Sequence, residues 1–233
     1  MKINEVLLNE GPYDRYNFRS IFLCGAPGSG KTTIEHLLGL QTLGLKSLNV
    51  DKTIMYLQSL NHSYPQAGQT TEKRLNLYAD NYLGLIANAT GRNADSIIRL
   101  NKKLKENYYN TFMLFIEVDK NIAQQRIKSR LVTSNNPEDI NRKVDLDYFE
   151  EAYENTSKNI DLYKLLFGNT FALVHNNNED IDINELNSAR KKINKFLLTP
   201  PSIEAQAIMK GVKSKPASGI GRNYIRPNSQ RRN

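Results

Sequence analysis

A three-layer α/β fold, with a parallel sheet flanked by helices, is what this sequence predicts. Three observations carry the expectation. Strand-like runs alternate with helix-periodic segments along most of the chain. Several of those runs are apolar throughout, as strands buried on both faces are. A glycine-rich turn, Gly25-Ala26-Pro27-Gly28-Ser29-Gly30-Lys31-Thr32, joins the first strand to the first helix.

The elements follow in order. Residues 19–24 read as a short buried strand, β-branched and aromatic, with glycine after it. Residues 32–40 have helical spacing, with Ile34, Leu37 and Leu38 on one face. A second strand is expected over 46–50 and a helix over 53–60. Pro65 and Gly68 mark 61–70 as a loop, and 72–80 returns to helix. Residues 82–89 read as a third strand, weakened by Gly84. A basic amphipathic helix is expected over 95–107. Residues 111–118 form the clearest strand, followed by a helix over 121–131 and a loop holding Pro137. The run 144–167 reads as mostly helical, ending at Gly168. The last strand is 170–175 and the last helix 183–198, stopped by Pro200-Pro201.

The chain has 233 residues, 24% charged and 39% hydrophobic, enough for one α/β domain plus ends. No run approaches the roughly 18 apolar residues of a membrane-spanning helix. The run Val6-Leu7-Leu8 is too short for a secretory signal. One cysteine, Cys24, allows no internal disulfide, and its apolar strand makes it a packed core thiol. A cytoplasmic protein with no membrane partner is therefore expected. His36, His62 and His175 are scattered, so no structural zinc site is expected. Net charge is +8 but uneven: from Thr199 onward seven bases face one acid, so that stretch carries +6 and the rest +2.

The turn 25–32 satisfies G-x-x-x-x-G-K-[ST], between a strand and a helix as the motif requires. This is a P-loop, and it makes the expected fold that of a P-loop NTPase, kinase-like. Its glycines let the backbone direct several N–H groups at phosphates, and the helix start adds partial positive charge. Lys31 supplies a point charge to the β- and γ-phosphates. The Thr32 hydroxyl is expected on Mg²⁺, and Thr33 completes the set that binds ATP or GTP. Ligands of such sheets lie beyond the carboxyl ends of the strands, and each remaining candidate falls there. Asp51 ends the second strand, where a carboxylate can take the acceptor's proton or hold Mg²⁺ through water. Arg92, in Thr90-Gly91-Arg92, stands at the mouth of the site, where its planar fork can hold a phosphate or acceptor group. Arg126 and Arg130 share one helix face at i, i+4, placed to close over the transferring phosphate as a lid.

With these parts the chain resembles the zeta-toxin and polynucleotide-kinase-like branch of P-loop kinases, a pattern shared with shikimate and nucleoside monophosphate kinases. The matching parts are the P-loop, the Asp51 strand end, the Thr90-Gly91-Arg92 turn and Arg126-x-x-x-Arg130. The piece 155–177, with Leu166-Phe167-Gly168-Asn169 and Asn176-Asn177, resembles phage-encoded members. The resemblance implies ATP and Mg²⁺, Asp51 as acceptor-activating base, Arg92 as substrate contact, and Arg126 and Arg130 as lid arginines. Lys52-Thr53 stand after Asp51 where many relatives have a second acid or an arginine. The expected acceptor is a nucleotide sugar, a nucleic-acid 5′-hydroxyl or a nucleotide.

Three segments are expected: a leader over 1–12, the kinase domain over 13–198, and a basic, flexible or draped tail over 199–233. Leu8-Asn9-Glu10 before Gly11 resembles the site cut by prohead proteases of tailed phages, which implies packaging in a phage head. The tail, with Tyr224 between Arg222 and Arg226, is suited to contact nucleic-acid phosphates and a base. The alternative function is a nucleic-acid-associated phage virion protein that binds nucleotide without kinase activity.

Overall fold

Five strands, all parallel, form the sheet in the computed structural model. The structure describes residues 15–50, 53–54, 64–133, 145–177 and 181–211. β1 (Arg19–Cys24), β2 (Lys46–Leu48), β3 (Leu85–Ala89), β4 (Asn110–Glu117) and β5 (Phe171–His175) lie in the order β2-β3-β1-β4-β5. After β1 the chain runs to one side of it for β2 and β3, then to the other for β4 and β5. The reversal opens a crevice at the carboxyl end of β1, where ligands of such sheets bind.

β1 is central and buried along its whole length. Its alternation feeds two cores. Phe22 and Cys24 enter one face with Leu85, Met113 and Phe115. Ile21 and Leu23 enter the other with Ile86, Leu114 and Ile116. The first face is covered by α2 (Tyr64–Asp80), α3 (Ala94–Glu106), α6 (Ile160–Phe167) and α8 (Ile203–Met209). The second is covered by α1 (Lys31–Leu37) and α7 (Ile183–Leu198). A small third cluster joins Ala123 and Ile127 of α4 (Lys120–Thr133) to Phe149 of α5 (Leu146–Lys158) beyond the carboxyl end of β4. Side chains cap the helices where the sequence offers them. Asn93 accepts from Ser96 N, Asp145 from Asp147 N, Asp182 from Asn184 N and Ser202 from Ala205 N, each worth about 1 kcal/mol.

The expected three-layer P-loop kinase-like fold is therefore the fold observed. Several element boundaries differ from the sequence reading. Residues 64–70, expected in a loop, begin α2, because Pro65 falls in the first turn, where its missing N–H costs nothing. The helix expected over 144–167 is two helices. They part at Asn159, whose side chain donates to Gly91 O and Arg92 O, both at 3.1 Å. β3 starts at Leu85 rather than residue 82, since Tyr82 takes a left-handed turn at φ 60°. In the C-terminal stretch, α8 folds against the first core, with Ala205 fully buried. The leader, Asp51 and 212–233 lie outside the described residues.

Gly84 is what lets β3 enter beside β1. A Cβ there would stand 2.7 Å from Tyr16 O and 2.5 Å from Leu45 Cδ2. Replacing Gly84 by alanine is expected to cost about 1–3 kcal/mol, the usual penalty for overpacking. A lowered urea midpoint at unchanged slope would report it.

Candidate active site

The loop between β1 and α1 sits at the crevice. Gly30 precedes α1 at φ 81°, a conformation that suits glycine, and a Cβ on it would collide with Asn176 Nδ2. No side chain caps the first turn of α1. Lys31 is half-buried and donates to the loop's own carbonyls, Gly25 O at 2.7 Å and Ala26 O at 3.1 Å. A phosphate would compete for the same ammonium group. Thr32 and Thr33 are exposed at the mouth. The Thr32 hydroxyl is a hard oxygen donor of the kind Mg²⁺ takes, and the open space beside it suits an ion that keeps most of its water. The residues present therefore fit a magnesium nucleotide. Cys24, directly beneath, is fully buried, and burial pushes its thiol up to about 12 against the opposing pull of Lys31. It is a packing residue, as the sequence reading expects.

Arg126 reaches this loop through a residue the sequence reading did not single out for a role. Asn176, the residue after β5, is 4% exposed. Its side chain donates to Ser29 O at 2.8 Å, and its N–H donates to Glu117 O at 2.8 Å. Arg126 Nη1 donates to Asn176 O at 2.8 Å, and Nη2 lies 3.4 Å from Asn176 Oδ1. The phosphate loop, the end of β5 and α4 thus form one hydrogen-bonded unit. The signal in the sequence was weak: an asparagine pair after an apolar strand, with no spacing that ties it to the loop.

Arg92 is placed by three side chains, from α5, from α6 and from Asn159 between them. The Tyr163 hydroxyl donates to Gly91 O at 2.6 Å, Asn159 Nδ2 donates to Gly91 O and Arg92 O, and the Thr156 hydroxyl lies 3.1 Å from Thr90 O. Burial pushes the Tyr163 phenol far above its ordinary range, which keeps it a donor. The Arg92 guanidinium lies 4.8 Å from the Tyr148 ring and 3.5 Å from Glu151. Backbone rigidity and a loosely held, exposed head suit a group that must meet a ligand.

Arg74 is a second residue missed from sequence. It is half-buried on α2 and reaches the end of β2, donating to Ser47 O at 3.3 Å and lying 3.4 Å from Thr53 Oγ1. Its i, i+4 partner Tyr78, whose ring centroid is 5.7 Å away, was the available signal. Asp51 lies outside the described residues. Arg130 lies on α4, but its side chain is also outside them.

Beside Asn176, His175 closes the far edge. Its Nδ1 is 2.8 Å from Glu185 Oε1 and its Nε2 is 3.1 Å from Glu117 Oε2. Glu185 Oε2 also accepts from His175 N at 2.8 Å. The hydrogen bond to Glu185, helped by both carboxylates, raises the His175 pKa above its ordinary value.

Comparison with known proteins follows the same lines. The family model described as Zeta toxin matches residues 56–185, more than half of the chain. The AvrRxo1-ORF1:AvrRxo1-ORF2 structure with sulphate ions is similar at TM-score 0.55 and 11% identity, covering 73% of this chain and 62% of that one. The same complex with ATP gives 0.53 and 13%, covering 73% and 61%. A structure from the PezAT chromosomal toxin–antitoxin system of Streptococcus pneumoniae gives 0.50 and 18%, covering 83% and 92%. These are likenesses of fold, and this chain spans less than two thirds of the AvrRxo1 chains in the sulphate and ATP structures. No curated protein sequence matches it.

Two measurements test the site's construction. Asn176→Ala removes the link between loop and Arg126, and is expected to cost about 1–3 kcal/mol in urea unfolding because it strands the buried Ser29 carbonyl. His175 has a folded pKa above its unfolded one, so its contribution to stability is complete below about pH 6.5 and fades as pH rises through the folded value. The stability gap between the native chain and His175→Gln should therefore be widest at acid pH and shrink toward alkaline pH. A gap that is flat or widens with pH would refute this reading.

Proposed function

The chain belongs to the zeta toxin family, and from that membership we propose that it is an ATP-dependent phosphotransferase. Its acceptor is a nucleotide sugar, a nucleic-acid 5′-hydroxyl or a nucleotide. The observation that carries the reading is the complete phosphate loop with Arg126 held against it through Asn176.

In this reading the loop amides and Lys31 hold the β- and γ-phosphates. Thr32 holds Mg²⁺, which screens the phosphate charge when bound. The acceptor oxygen attacks the γ-phosphorus, the bond to the β–γ bridging oxygen breaks, and ADP leaves. The acceptor's proton goes to the Asp51 carboxylate. Arg126, already beside the loop, meets charge on the transferring group, and Arg130 closes from the same helix. Arg92 receives the acceptor at the mouth, with Arg74 below the end of β2. Catalysis of this kind is chiefly positioning and charge stabilisation, which suits donors fixed before substrate arrives.

The test is transfer of labelled γ-phosphate from ATP with Mg²⁺ to UDP-sugars, 5′-hydroxyl oligonucleotides and nucleoside monophosphates. One acceptor class is expected to be labelled, with loss of label in Lys31→Ala. Asp51→Asn should abolish transfer while ATP still binds. No label on any acceptor, with ATP bound, would overturn the proposal.

A further inference from the structure

At the opposite end of β1, six strand residues or roughly 20 Å from the phosphate loop, lies a pocket of about 280 Å³. Its lining includes Arg15, Tyr16, Asn17 and Arg19 together with apolar residues, among them Pro200 and Met209. Arg19 is 2% exposed. Among the described residues, none of its contacts is a carboxylate. It donates to Phe18 O at 3.3 Å and to Thr199 O, and lies 5.8 Å from the Phe196 ring, while its Nε is buried with no acceptor.

Arginine is seldom buried without an anion, since neutral carbonyls do not offset the loss of water around a full charge. The chain accepts a second cost at the same place. Phe18, the residue before Arg19, is left-handed at φ 60°. It is held there by Phe18 N donating to Tyr82 O at 2.9 Å, by Asn110 N donating to Phe18 O at 2.9 Å, and by its ring stacked 4.4 Å from Tyr82. Strain of this kind in a bulky residue persists where the surroundings over-determine it, and it gathers at functional sites. Here it turns the chain so that Arg19 enters the pocket.

We propose that this pocket is a second binding site, separate from the phosphate loop, for a small oxyanion, a carboxylate or a phosphate. The Arg19 guanidinium receives it, Arg15 covers it from the exposed rim, and the apolar wall accepts a nonpolar body attached to the anion. Burial lowers the Arg19 pKa, and an anion in the pocket would oppose that shift. Guanidinium is suited to this task because its planar fork offers several donors at once to two oxygens.

The experiment follows thermal unfolding of the full chain against inorganic phosphate and, separately, benzoate, at constant ionic strength. It is run in Lys31→Ala, so that phosphate held by the Lys31 ammonium does not contribute. A saturable rise in Tm is expected with at least one anion. It should weaken several-fold when Arg15→Ala is added and vanish with Arg19→Gln. Response to phosphate alone assigns the free ion, and response to benzoate alone assigns an organic carboxylate. No saturable rise with either anion, or a rise unchanged by both arginine substitutions, would overturn the proposal. Arg15 is exposed, so Arg15→Ala decides the matter if Arg19→Gln does not fold.

Discussion

The Asn176 side chain bonds to a carbonyl nearly 150 residues away in sequence, and the site depends on that contact. β5 is an edge strand, separated from β1 by β4. Asn176 crosses that gap at the carboxyl end of the sheet and fixes the Ser29 peptide. It also receives Arg126 from α4. A phosphate loop whose amides must point inward is thereby held from outside by the last strand, as well as by Lys31 of its own helix. The same contact explains why position 30 must lack a side chain, because the amide of Asn176 occupies that space.

The opposite wall uses a comparable device. Tyr163, Asn159 and Thr156 take the carbonyls of the 90–92 turn, so two helices far along the chain hold the turn after β3. Both walls keep backbone carbonyls bonded while leaving cationic heads near the crevice. Preorganised donors of this kind need little rearrangement when charge develops.

Much of this architecture is legible in the sequence. β1, β4 and α7 can be read from apolar runs and helical spacing, and the phosphate loop from its glycines and Lys31. The break at Asn159 is not legible, because its cause is the 90–92 turn, remote in sequence. Pro65 misleads, since proline ends a helix or opens one depending on a boundary that composition does not set. Asn176 and Arg74 leave only faint marks in the sequence, an asparagine pair and an i, i+4 tyrosine, because their contacts with Ser29 and Ser47 come from other elements. Arg19 falls within the buried strand expected over 19–24, but only the structure shows that its guanidinium meets carbonyls and no carboxylate among the described residues.

The return of the chain after α7 has a mechanical meaning. α7 lies on one face of the sheet and α8 on the other. The short link between them passes beneath β1, where Arg19 bonds to Thr199 O. The link acts as a clasp that binds the two helical layers together at the amino end of the central strand. One buried side chain at the start of the central strand thus ties the sheet to the connection that joins its two helical layers.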